Sequence, residues 1–154
     1  MNGYATGIEA LAWAAGQTHG AICELGAGDY STPLLHGLCE ARHRPLATCE
    51  DDTEWLATMR ARFEAPWHSF HADLVTPLFG GYWSVVYVDH GHGELRADSV
   101  RLARGRARFV VVHDTQPEVA ADYPGMAEAL DGWPHRRDFT TYTPWTTVVW
   151  EDPR

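Results

Sequence analysis

The chain has 154 residues, 45% of them hydrophobic and 21% charged, with a formal net charge of −9. That length suits one domain, taken as residues 1–154, with enough chain to bury a core; the acidic balance disfavours nucleic acid as a partner, and no stretch reaches the roughly 18 apolar residues of a membrane helix. All twelve basic residues are arginine, which excludes a Walker-type phosphate loop and Schiff-base chemistry, since both need lysine.

In chain order, the start MNGYATGIEALAWAAG lacks a basic leader region, so no signal peptide is expected. Residues 5–16 place Ile8, Leu11, Trp13 and Ala14 at helical spacing. Residues 20–24 read as a short buried strand. The turn ELGAGDYST follows, with Ser31 or Thr32 as cap of the next helix and Pro33 at its first position, where a missing N–H costs nothing. Residues 44–50 form a second strand. Asp51 and Glu54 then stand like a capping box before Trp55, Leu56, Met59 and Phe63. Residues 68–74 make a third strand, and Pro77 with Gly80-Gly81 marks a loop. Residues 83–89, apolar on both faces, fit a central parallel strand. A helix over 94–104, a fifth strand over 107–113, a short helix over 123–130 and two strands joined around Thr143-Pro144 complete the chain. Cys23, Cys39 and Cys49 are scattered without CxxC spacing, which points to a reducing, cytoplasmic setting.

Strands alternating with helices imply an α/β fold: a doubly wound, mostly parallel Rossmann-like sheet closed by a C-terminal antiparallel hairpin. In such sheets the ligand lies beyond the carboxyl ends of the strands, at the switch in strand order. Those ends carry Glu24, Glu50, Asp73, Asp89, His113 and Asp114.

Two glycines between a strand and a helix suit either a nicotinamide dinucleotide or S-adenosylmethionine. Here Ser31 replaces the third glycine of the dinucleotide fingerprint, and Glu24 stands where nicotinamide-binding strands carry an apolar residue. A carboxylate there can receive an ammonium group, and the following helix start can hold a carboxylate. Glu50, 22 residues after Gly28, can accept from both ribose hydroxyls. Asp73 can accept from an adenine amino group.

With these pieces in order, residues 20–150 resemble the class I S-adenosylmethionine-dependent methyltransferases. The resemblance rests on ELGAGDYST, LATCED, HADL, VVYVDHGH, VVVHDT and the closing HRRDFTTYTPWTTVVW. It implies that Gly26 and Gly28 approach the cofactor, that Glu24 lies by its methionyl amine, Glu50 by the ribose and Asp73 by the adenine. Asp89 would lie near the reacting methyl group. Ala27, Ser31, Thr32, Asp51, Leu74 and His90 complete the implied cofactor wall.

The cluster Asp89, His90, His92, His113 and Asp114 admits two chemical roles and a structural one. Asp89, His113 and Asp114 can hold Mg²⁺ or another divalent cation that lowers an acceptor hydroxyl's pKa, an arrangement that looks like that of catechol O-methyltransferase. Alternatively, His92 or His113 acts as general base. The structural alternative leaves these histidines as loop and local hydrogen-bonding groups. Arg96, in the first turn of a helix whose dipole it opposes, is expected to pair with Asp98 or Glu94 or to face an anionic substrate.

The expectation is thus methyl transfer from S-adenosylmethionine to a hydroxyl of a small molecule, with metal assistance open, no membrane partner, and a homodimer as one way to complete the pocket. The short chain leaves little for an acceptor-binding insert. That keeps cofactor cleavage, intramolecular alkyl transfer or a non-catalytic cofactor- or partner-binding module as alternatives.

Overall fold

A computed structural model describes residues 5–152. In chain order the elements are α1 (Ile8–Gly16), β1 (Ile22–Leu25), α2 (Ser31–Ala41), β2 (Leu46–Cys49), α3 (Thr53–Phe63), β3 (His68–His71), β4 (Trp83–Val88), α4 (Gly93–Ala103), β5 (Ala107–His113), α5 (Met126–Asp131), β6 (His135–Phe139) and β7 (Thr146–Trp150), with short 3₁₀ turns at Thr76–Phe79 and Pro117–Val119. The strands form one seven-stranded sheet in the order β3-β2-β1-β4-β5-β7-β6. β1 to β5 run parallel, and β7 lies antiparallel between β5 and β6. The expected doubly wound sheet with its C-terminal hairpin is therefore what the chain forms.

β4 and β5 are apolar on both faces because both faces are covered. Val86, Val88, Val110 and Val112 pack with Ala97 and Val100 of α4 and with Met126 and Leu130 of α5. Ile22, Val85, Tyr87 and Val111 pack with Leu11 and Ala14 of α1 and Leu35 of α2. Each fully buried valine or leucine stabilises the fold by roughly 1.5–3 kcal/mol.

Several boundaries differ from expectation for physical reasons. β3 ends at His71 because Asp73 turns the chain away, accepting the backbone N–H groups of Val75 at 2.7 Å and Thr76 at 3.1 Å and the Thr76 hydroxyl. α3 is capped by Asp52 rather than Asp51; Asp52 accepts from the N–H groups of Glu54 and Trp55, each at 3.0 Å. α2 begins at Ser31 behind an N-cap Tyr30 that makes no side-chain cap bond, so Pro33 sits inside the first turn. The hydroxyl of Thr32 is not a cap because a buried carboxylate captures it.

The crevice at the switch point lies between β1 and β4, whose final residues Leu25 and Val88 pair. Gly26 turns there with φ of 97°, and a side chain on it would come within 2.6 Å of the Asp89 carbonyl oxygen and the His90 nitrogen. Only glycine allows the two strand ends to meet so closely.

Candidate active site

Glu24, next to last in β1, has no solvent exposure. Its Oε2 accepts from the hydroxyls of Thr32 at 2.9 Å and Thr48 at 2.7 Å, and Thr32 in turn accepts the Gly28 N–H at 3.0 Å. Its Oε1 makes no hydrogen bond among the described residues, although the Ser31 hydroxyl stands close enough to favour the carboxylate. Burial pushes the carboxyl up to about 7 against the opposing hydroxyl bonds. A buried acceptor left without a donor costs about 1–3 kcal/mol.

The turn above it is braced on both sides. Glu50 accepts the Ala27 N–H at 3.0 Å through Oε2 and the Asp52 N–H at 2.9 Å through Oε1, and Trp55 donates its indole N–H to the Ala27 carbonyl at 2.8 Å. A carboxylate offers about four acceptor positions, so Glu50 retains capacity for hydroxyl groups. At Gly28 a side chain would meet the movable Ser31 hydroxyl at 2.7 Å. Ala27 to Ser31, Trp55 and Asp89 line a cavity of about 420 Å³. Asp73 follows β3 and bonds within its own loop, and Leu74 is buried in the core with Leu25, Cys49 and Val88.

The second half of the site is a buried charge network. Arg96, only 5% exposed, donates through NH2 to Asp89 at 3.1 Å, through NH1 to Asp114 at 3.0 Å and through Nε to the His90 carbonyl at 2.6 Å. Its guanidinium lies 4.6 Å from the centre of the Tyr123 ring. His113 Nδ1 stands 3.3 Å from both carboxylates, and its Nε2 lies 2.9 Å from the Thr6 hydroxyl. The hydroxyls of Tyr87 and Tyr123 donate to Asp89 at 3.0 Å and Asp114 at 2.9 Å. Two cations and two anions thus neutralise each other, and every oxygen of Asp89 and Asp114 is engaged. The expected pairing of Arg96 with Asp98 or Glu94 gives way to this arrangement, since Asp98 pairs with Arg101 at 2.8 Å.

Burial disfavours the charged form of His113, but Asp114 and Asp89 overcome it and push the imidazole up to about 9. Burial opposes ionisation of Asp114 as well, yet His113 and Arg96 hold that carboxyl down at about 2. His113 is therefore already protonated at neutral pH and is not placed to accept a proton. The folded value lies above the ordinary unfolded one, so its stabilisation is complete below about pH 6.5 and lost as pH rises through the folded value. Urea midpoints measured across that window should fall in the wild type, and His113→Asn should remove that part of the slope; equal slopes would contradict the network's charge state.

Asp89, His113 and Asp114 do offer ligand atoms within 4.8 Å of one another, as the spacing of the two strand ends anticipates. A divalent cation would need the oxygens that Arg96 holds and an imidazole free of its proton, so this donor set does not fit one.

The two remaining histidines differ from each other. His90 is buried, with Nε2 3.0 Å from Ser99 Oγ and Nδ1 without a partner among the described residues; burial and then the Arg96 charge push it down to about 4, so it is neutral. His92 is exposed, and its Nε2 lies 2.5 Å from Asp51. A second cavity, about 460 Å³, opens beside the network and is lined by Asp114, Gln116, Tyr123, Met126 and Arg136 among others.

No family model and no curated protein matches the chain. Solved structures do. The SAH-bound methyltransferase PaMTH1 of Podospora anserina superposes with a TM-score of 0.65 at 13% identity, over 91% of this chain and 77% of that one. A SAM-dependent O-methyltransferase from Thermotoga maritima gives 0.65 at 9% identity, over 95% of this chain and 66% of that one. The 23S rRNA methyltransferase ErmE gives 0.57 at 13% identity, over 94% and 68%. The chain thus spans about two thirds of the length of the latter two. It has the class I S-adenosylmethionine-dependent methyltransferase fold.

Proposed function

We propose that this chain transfers the methyl group of S-adenosylmethionine to a hydroxyl group of a small molecule, with His92 as general base and without a metal ion. The observation that carries the reading is the orphaned Oε1 of buried Glu24 beneath the glycine turn. It matches the chemistry of an amino-acid ammonium group, and nothing in a nicotinamide dinucleotide requires it there. Glu24 would hold that ammonium, Glu50 the ribose hydroxyls, and the Gly28–Ser31 backbone the opposite wall.

When bound, the cofactor supplies a methyl group already activated on a sulfonium, so the protein's part is positioning, exclusion of water and removal of one proton. Arg96 and His113 lock the carboxylates of Asp89 and Asp114, which fixes the floor between the two cavities. His92 takes the acceptor's proton, and Asp51 holds its ring in orientation and stabilises the imidazolium formed. The volume beside Asp114 and Tyr123 lies in the range of small-molecule sites. With the net charge of −9, that favours a small acceptor over the RNA substrate named for ErmE.

Mass spectrometry of the protein incubated with S-adenosylmethionine and a panel of phenols, catechols and sugars tests this reading. The expected result is an acceptor that gains one methyl group with equal amounts of S-adenosylhomocysteine, at a rate unchanged by excess EDTA. Cofactor breakdown without an acceptor would overturn methyl transfer, and loss of activity in EDTA would restore the metal.

A further inference from the structure

Behind Glu24 runs a chain of hydrogen bonds that the reaction does not need. Thr48 Oγ1 lies 2.7 Å from Glu24 Oε2 and 2.9 Å from His68 Nε2, and His68 Nδ1 lies 3.0 Å from His36 Nδ1. Glu24, Thr48 and His68 are all without solvent exposure. His36, on α2, is half-buried against the rings of Trp67 and Phe63, and its Nε2 has no partner among the described residues. The chain therefore runs from a fully buried carboxyl on β1, across β2 and β3, to an imidazole at the surface.

We propose that Thr48, His68 and His36 form a proton relay through which Glu24 gives up a proton to solvent when the cofactor's ammonium group binds. The proposal rests on the cofactor reading above. Its steps balance with both imidazoles neutral before and after. With Glu24 protonated, Oε2–H donates to Thr48, Thr48 to His68 Nε2, and His68 Nδ1–H to His36 Nδ1, while His36 Nε2 carries the last proton. On release, each donor passes its proton one place along and His36 Nε2–H loses one to water. Afterwards Thr48 donates to the Glu24 carboxylate, His68 donates from Nε2 and His36 donates from Nδ1. One proton has left and every bond has reversed direction.

Physical necessity supports a route of this kind. A carboxyl with no exposed surface cannot exchange protons with water directly, and its burial holds it protonated into the neutral range. An arriving ammonium favours the ionised form. Among the other neighbours, Asp89 is fixed by Arg96 and His113, the Tyr87 hydroxyl is committed to Asp89, Cys23 and Cys39 are buried thiols, and the Ser31 hydroxyl, which also favours the carboxylate, lines the cavity that the arriving cofactor fills. Burial, and then the charge of His36, keeps His68 neutral at about 4, as a two-way relay requires.

The test uses S-adenosylhomocysteine, which carries the ammonium, and 5′-methylthioadenosine, which lacks it. Calorimetry in buffers of different ionisation enthalpy should show proton release with the first ligand, greater near about pH 6.5 than near about pH 8.5, and none with the second. Glu24→Gln should abolish the release. In ¹⁵N spectra, binding of S-adenosylhomocysteine should move the ring proton of His68 from Nδ1 to Nε2 and that of His36 from Nε2 to Nδ1. Thr48→Val, which keeps the side chain's shape, should bind the ligand and leave both tautomers unchanged. Proton release with unchanged wild-type tautomers, or binding without release, overturns the relay. Absence of binding to folded protein overturns the cofactor reading beneath it.

Discussion

Arg96→Met is expected to destabilise the fold by up to about 3–5 kcal/mol, because it strands two part-buried carboxylates that the buried guanidinium now neutralises. The three nitrogens of Arg96 are all engaged: Nε on the His90 carbonyl, NH1 on Asp114 and the His113 carbonyl, and NH2 on Asp89. Lysine at this position offers a point charge in place of a planar fork, so Arg96→Lys should recover less than half of the loss. Urea denaturation at neutral pH reads both variants. The same substitution tests the account of the metal. With the arginine gone, Asp89, Asp114 and His113 become free to take a divalent cation, so Mn²⁺ should raise the melting temperature of Arg96→Met and leave the wild type unmoved. A stability loss under about 1 kcal/mol, the size of an exposed ion pair, would contradict the network's role, and a Mn²⁺ response in the wild type would contradict the fit argument.

His92→Ala should lower kcat by about 10²–10⁴-fold, the usual contribution of a general base. Cofactor affinity should stay near wild type, since His92 is exposed and bonded to Asp51 rather than to the glycine turn. Asp51→Asn should lose part of the same factor by releasing the ring. The sharper readout is the acceptor series. A phenol acidic enough to be ionised at the assay pH needs no base, so the His92→Ala defect should shrink towards nothing with such an acceptor. A defect of equal size for ionised and un-ionised acceptors would assign His92 a structural role instead.

The sheet was legible because its signals are local. The apolar runs of β4 and β5, the turn ELGAGDYST and the acids ending successive strands each lie within a few residues. What escaped is nonlocal. Thr32 looks like a helix cap until Glu24, eight residues earlier, is seen to claim its hydroxyl. Arg96 reads as a partner of its own helix, because no periodicity reports that β4 and β5 bring Asp89 and Asp114 to it. His68 is fully buried, and its contact with His36 depends on how α2 packs behind β2 and β3. The one hint was chemical: a histidine opening a strand of otherwise buried register beside Thr48. Arg44, 1% exposed, was likewise unmarked, although it ties the Ala15, Thr18 and Gly20 carbonyls together at the foot of the sheet.

Titration calorimetry with S-adenosylmethionine, alongside NAD, separates the two cofactor classes. One-to-one binding of S-adenosylmethionine to the wild type is expected, with a loss of about tenfold or more in Glu24→Ala from removal of a buried charged hydrogen bond, and no heat with NAD. Binding of NAD, or no heat from S-adenosylmethionine with protein shown to be folded, would contradict the cofactor assignment.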